Sequence, residues 1–159
     1  MAVKNLILIR HSYANSQSEI GDVGRELSEQ GKAKIRSQIA KLDLIPKVDF
    51  VHVSHAKRTM QTFEMLNEYF KVKDDKAWVS NDIYDGSYLD YMQVLSLSPA
   101  EVNTIAFIAH NPSISYLASK LCTDFNHGFN PGDILWLQAD LENWEVINAK
   151  WDFKKFLSE

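Results

Sequence analysis

Four side chains capable of phosphate chemistry stand at the ends of apolar runs. Arg10-His11-Ser12 follows Leu6-Ile7-Leu8-Ile9 directly, and His110-Asn111-Pro112 follows Thr104 to Ala109 in the same way. Arg58 comes shortly after the run Phe50 to Val53, within Ser54-His55-Ala56-Lys57-Arg58-Thr59. Taken singly, each is an ordinary surface charge or structural imidazole. Taken together they are not, because scattered surface residues have no reason to recur at the same end of three apolar runs. Arginine offers a rigid fork of donors that matches phosphate oxygens, and histidine can act as nucleophile or acid near neutral pH. Phosphoryl transfer needs an in-line nucleophile and cations to balance the equatorial oxygens. The sequence has neither a Walker-type glycine loop nor an aspartate-rich metal cluster, so a metal-free route through a phosphohistidine intermediate fits best, with no cofactor. A metallohydrolase built on His11 and His110 would lack carboxylate partners and would set two arginines against the metal.

The elements that must present these residues follow from the patterning. Leu6–Ile9, Phe50–Val53, Thr104–Ala109 and Ile134–Leu137 read as core strands, with Trp144–Trp151 as an antiparallel partner for the last across a turn at Glu142-Asn143. Ser28 precedes Ala33, Ile35, Ile39, Ala40 and Leu42 at helical spacing, with Glu29 in the first turn. Met60, Phe63, Leu66 and Phe70 mark a second helix from about Ala56 to Phe70. Ile114, Leu117, Ala118 and Leu121 mark a third, opened by Asn111-Pro112 with proline suited to its first position. Alternation of strand and helix predicts an α/β sheet whose functional residues lie at the carboxyl ends of its strands. The 159 residues are expected to form one domain spanning 1–159.

Composition narrows the partners. Seventeen Lys and Arg against 21 Asp and Glu give a net charge of −4, which disfavours nonspecific binding to nucleic acid or to an anionic membrane. No apolar run approaches the length of about 20 residues needed to span a bilayer, and the N-terminal segment does not read as a signal peptide. A cytoplasmic location is therefore the expectation. The lone cysteine, Cys122, reads as a buried structural thiol. Trp136, Trp144, Trp151 and Phe153 are expected to cover the sheet rather than stack on bases, His52 to pack within its strand, and His127 to lie in a loop.

The chemical residues also carry a resemblance. Leu8-Ile9-Arg10-His11-Ser12-Tyr13-Ala14 resembles the Arg-His-Gly signature of the histidine phosphatase superfamily, whose fold is phosphoglycerate-mutase-like. Asp22 with Arg25-Glu26-Leu27-Ser28-Glu29-Gln30-Gly31 resembles the Arg-Pro-Leu-Thr-x-x-Gly segment of that family. Ser54 through Thr62 is similar to its Ser-x-x-x-Arg-x-x-Gln-Thr segment, and Ala109-His110-Asn111-Pro112 to its Gly-His-Asn-Pro. These blocks run from Leu6 to about Leu121 in the family's order. Pro131-Gly132-Asp133, a strand and then Trp144 resemble the closing segment of short members. The short chain is similar to the small, SixA-type phosphohistidine phosphatases. The resemblance implies a three-layer α/β/α sandwich, with a mostly parallel central sheet and an antiparallel edge. It also implies a phosphorylated substrate, either a phosphomonoester or a protein phosphohistidine. By the same resemblance His11 is the nucleophile, Arg10, Arg58 and His110 hold the phosphoryl group, and Asn15, Ser16 and Asn111 are candidate phosphate or substrate contacts.

The departures bear on the chemistry. Ser12 stands where the family has glycine; it would strain the backbone if that position needs positive φ, or its hydroxyl would donate to phosphate. Larger members use an inserted carboxylic acid to protonate the leaving oxygen. The corresponding stretch here is Asn81-Asp82-Ile83-Tyr84-Asp85-Gly86-Ser87, with Asp85 the first candidate and Asp82 the second, although Asp-Gly is itself a common turn. His55, close to Arg58, is a candidate pocket wall. Two readings stand beside each other: a phosphatase working through His11, and a noncatalytic phosphate-binding member of the same fold.

Overall fold

Two strands buried on both faces form the middle of the sheet. In the computed structural model, which describes residues 2–145 and 149–158, β1 (Ala2–Arg10) pairs in parallel with β4 (Thr104–Ala109), matching Leu6 with Ile105 and Ile9 with Ile108. Leu6, Leu8, Ile105 and Phe107 enter one core; Ile7, Ile9, Ala106 and Ile108 enter the other. Continuous apolar runs of this kind are what a sheet covered by helices on both sides requires.

β2 (Phe50–Ser54) lies parallel to β4 on its other side, and β3 (Ala77–Ser80) lies parallel to β2. β5 (Ile134–Leu141) runs antiparallel to β1, and β6 (Asp152–Leu157) antiparallel to β5, giving the order β3-β2-β4-β1-β5-β6. Helices α1 (Glu29–Ile39) and α2 (Lys57–Phe70) bury Ile35, Leu66 and Phe70 against one face. Helices α3 (Tyr88–Ser96) and α4 (Ser113–Leu121) bury Tyr91, Leu95, Ile114, Leu117 and Leu121 against the other. The result is the expected α/β/α sandwich with an antiparallel edge.

Three parts of the sequence reading need correction or completion. The strand partner of β5 is Asp152–Leu157, not Trp144–Trp151; residues 146–148 of that span lie outside the described residues. Trp144 and Trp151 leave the ladder because burial outweighs pairing: both are buried and stack with centroids 6.1 Å apart, and the Trp144 indole donates to the Val102 carbonyl. β3 and α3 fall in a stretch that the sequence reading left without elements. Pro112 occupies the N-cap of α4 rather than its first turn.

α1 begins where predicted, at Ser28, whose side chain accepts from the Gly31 amide. The same hydroxyl and the Ser28 amide donate to the Tyr13 carbonyl, tying the segment after β1 to the helix start. Gly31 is required there, since a Cβ would fall 2.0 Å from the Tyr13 carbonyl oxygen.

A second tie comes from Gly132 and Asp133. The Gly132 amide donates to the carbonyls of Arg10 and His11, and the Arg10 amide donates to the Asp133 carbonyl. The Asp133 carboxylate, fully buried, accepts from Lys34 at 2.9 Å, from the Asn130 amide and from the Ser158 hydroxyl. Removing one partner of a buried pair strands the other charge, so Asp133→Ala is expected to cost about 3–5 kcal/mol of unfolding free energy. Urea unfolding measures this, and a loss under about 1 kcal/mol, the scale of an exposed pair, would contradict it.

Candidate active site

The strand order brings the carboxyl ends of β1, β4 and β2 side by side, and with them the residues singled out by the sequence. The His11 and His110 rings lie 5.2 Å apart between centroids. Arg58, second residue of α2 and buried, reaches between them: its Nε donates toward His11 Nε2 at 3.4 Å, and its Nη2 toward His110 Nδ1 at 3.3 Å. Because α2 starts immediately after β2, its N-terminal dipole also faces this end of the sheet.

Each imidazole is held in one tautomer by a partner with a fixed role. His11 Nδ1 lies 2.7 Å from the Ser12 carbonyl, which can only accept, so Nδ1 carries the proton and Nε2 presents its lone pair. His110 Nδ1 faces a guanidinium that can only donate, so its Nε2–H donates to the Ser54 hydroxyl at 2.8 Å. Burial lowers His11 to about 4 against the help of the Ser12 carbonyl, with Arg58, Arg10 and Arg25 lowering it further. Burial lowers His110 to about 3, aided by His11 and Arg58. Both rings are therefore neutral at pH 7, as a nucleophilic imidazole must be.

Arg10 is half-buried at the end of β1. Its Nη1 donates to the Phe129 carbonyl at 2.7 Å, while its Nε–H is buried and has no partner among the described residues. Asn111 donates to the same Phe129 carbonyl at 3.1 Å, and its own oxygen accepts from Ser115. The Asn111 side chain thus anchors the loop that holds Arg10. Ser12 departs from expectation. It is buried and its φ is not positive; its hydroxyl donates to the Gly31 carbonyl at 2.8 Å, so its proton is committed to packing the loop on α1. Asn15 is exposed, and its backbone joins Glu26 and Arg25. Ser16 sits on the rim of a shallow depression with Asp22 and Arg25.

Asp85 and Asp82, the candidate acids, are both exposed, and neither carboxylate makes a hydrogen bond or ion pair among the described residues. The carboxylate that does meet the cluster is Asp22. It accepts from Arg58 Nη2 at 3.0 Å, from Arg25 Nη1 at 3.0 Å, and from the Tyr84 hydroxyl. Tyr84, the neighbour of the expected acid, forms a wall: its ring stands edge-on to His110 at 5.4 Å and to His55 at 5.1 Å, with the Arg58 guanidinium 5.9 Å from its centroid. His55 therefore lies behind Tyr84. Asp22 stood inside a motif segment, and Tyr84 beside a candidate acid, but nothing in their spacing announces a contact across 62 residues. His52 packs among Phe50, Trp78 and Phe107 and bonds Ser98; burial lowers it to about 4.

The six-stranded order, with helices on both faces and this cluster at the carboxyl ends, defines the phosphoglycerate-mutase-like fold. Within that fold the chain is similar to the SixA proteins. A SixA from Nakamurella multipartitia assigned as a phosphohistidine phosphatase superposes with a TM-score of 0.85 at 20% identity, covering 99% of this chain and 96% of its own. The protein histidine phosphatase SixA complexed with tungstate gives 0.81 at 21% identity, covering 97% and 96%. A mycobacterial glucosyl-3-phosphoglycerate phosphatase gives 0.70 at 15% identity, covering 99% and 100%. No family model and no curated protein matches the sequence. At these identities the shared property is the fold.

The three buried histidines set an acid limit. Each has a folded pKa of about 3 to 4, below the unfolded value of about 6.5, so each contributes stability that is full above pH 6.5 and is lost as pH falls toward 4. In ¹H–¹⁵N spectra the rings of His11, His52 and His110 are expected to stay neutral from pH 7.5 to 5. A titration midpoint above 6 for any of them would contradict its burial. Thermal denaturation over the same range should show the melting temperature falling below pH 6.

Proposed function

We propose that this protein is a phosphatase that transfers a phosphoryl group to His11 and then to water. The observation that carries this reading is the His11 Nε2 lone pair, fixed by the Nδ1 bond to Ser12 and set beside two arginines in a neutral-histidine environment. As the Nε2–P bond forms, the bond from phosphorus to the leaving oxygen or nitrogen breaks, and the leaving group departs with its electron pair and takes up a proton. Water then attacks phosphorus, Nε2 leaves, and inorganic phosphate is released. Arg10 and Arg58 balance the charge on the equatorial oxygens. Arg58 weighs against a metal site, because an ion held by His11 and His110 would sit against the guanidinium that approaches both rings.

The leaving side favours a protein phosphohistidine over an alkyl phosphate. An alkoxide needs a proton in the transition state, whereas a protonated imidazole leaves without one. Asp22, held by Tyr84, Arg25 and Arg58, is pulled well below the usual carboxylate range and stays ionised, so it has no proton to give. The fold neighbours include proteins named as phosphohistidine phosphatases. The noncatalytic reading rests on Ser12 and on the unassigned general acid; the first ground weakens because Ser12 sits without positive φ and with its hydroxyl satisfied, and a phosphohistidine substrate, which needs no separate acid, answers the second. No helix among the described residues is long and apolar enough to cross a membrane.

Two measurements test the proposal. Incubation with a phosphohistidine protein is expected to trap acid-labile, base-stable phosphate on His11. His11→Ala should abolish both label and turnover, and Arg10→Ala and Arg58→Ala should each cost about 10²-fold or more in rate. Label on another residue, or full turnover in His11→Ala, rejects the mechanism. Asp85→Asn should leave alkyl and activated aryl phosphates within about threefold of wild type; a selective loss of about 10²-fold on the alkyl ester would restore Asp85 as the acid.

A further inference from the structure

We infer that Asp22 is the positioning residue of Arg58, and that Tyr84 acts through Asp22 as a strap across the mouth of the site. The inference rests on the phosphatase reading, in which Arg58 balances phosphoryl charge.

Arg58 is held along two edges. One edge faces the imidazoles, through Nε to His11 and Nη2 to His110. The other is gripped by a single residue: Nη1 donates to the Asp22 backbone carbonyl at 2.8 Å and Nη2 to its carboxylate at 3.0 Å. Two contacts to one residue fix the plane of the guanidinium as well as its position. Without them the guanidinium keeps only its contacts to the two imidazoles and can turn about them. Asp22 is itself fixed from both sides. Arg25 reaches its carboxylate within the same loop, and Tyr84 reaches it from the loop before α3. The Tyr84 ring lies beneath the same guanidinium, so Tyr84 supports Arg58 by its face and Asp22 by its hydroxyl.

Stability alone does not account for this arrangement. Asp22 meets two donors of the buried Arg58, yet its own side chain is 52% exposed, where an ion pair contributes little. Proton transfer does not account for it either, because a carboxylate with three donors stays ionised. What remains is geometry at the transferring group, where displacement by about 1 Å can cost 10²-fold in rate. Asp22 also partly neutralises Arg58, so its removal should not weaken binding of a ground-state anion.

The test compares Asp22→Asn, Tyr84→Phe and the double variant with wild type, using an aryl phosphate for turnover and inorganic phosphate in calorimetry. His11→Ala serves as the blank. Asp22→Asn is expected to lower kcat by about tenfold or more, within the range for a misplaced group, while phosphate binds as tightly as before or more tightly. Tyr84→Phe should give a smaller loss that does not add to that of Asp22→Asn, as for residues acting in series. A kcat within twofold of wild type in Asp22→Asn overturns the inference. So does phosphate affinity that falls in parallel with kcat, or losses that multiply in the double variant. The Arg58 Nε–H resonance reads positioning without turnover: it should be protected from exchange in wild type and broadened by Asp22→Asn. If the wild type binds phosphate but turns over no phosphate ester or phosphohistidine, the phosphatase reading fails alone. That resonance then decides the inference, with equal protection in both proteins overturning it.

Discussion

The charge of Arg58 is the constraint around which this end of the molecule is organised. A buried guanidinium must have its donors met, and here they are met by His11, His110 and Asp22 from three different parts of the chain. That requirement links the end of β1, the end of β4 and the loop before α1. Burial keeps the two imidazoles neutral, and the fixed charge of Arg58 lowers them further. At His11 the result is an uncharged imidazole close to cations, its tautomer set by the Ser12 carbonyl.

The sheet makes this meeting possible through the position of β4. β1 and β2 are consecutive strands, yet they do not pair; β4 inserts between them, so His110 arrives between Arg10-His11 and Ser54. The two-sided burial of β1 and β4 fixes their register, because a shift of one residue would exchange the side chains of Leu6 and Ile7 between two differently shaped cores. Precision at the site is thus inherited from packing some distance below it.

What could be read from the sequence follows the same division. Strands buried on both faces, such as Leu6–Ile9 and Thr104–Ala109, announce themselves as unbroken apolar runs, and the residues just beyond them were correctly brought together. Elements at the margins do not. β3 is four residues long, with Trp78 and Val79 exposed, and β6 carries Lys154 and Lys155, which protect an edge while disguising a strand. α3 was signalled by the capping box of Ser87 and Asp90, but the carboxylates just before it drew the reading toward a catalytic loop. At the site, residues within a motif were legible because the backbone positions them. Asp22 with Tyr84, and the roles of Ser12 and Asn111, depend on contacts between distant segments that local spacing does not encode.

The loop between β1 and α1 is closed at its stem by the pairing of Ala14 with Leu27 and by the seating of Gly31 against Tyr13. Strain or motion at its tip is therefore not passed back to His11 through the backbone. It reaches the site through Asp22, whose backbone carbonyl and carboxylate both hold Arg58. The tip can change in sequence with little effect on folding, while a change that moves Asp22 alters the chemistry. A single residue, Asp22, thus separates what this loop can vary from what it must preserve.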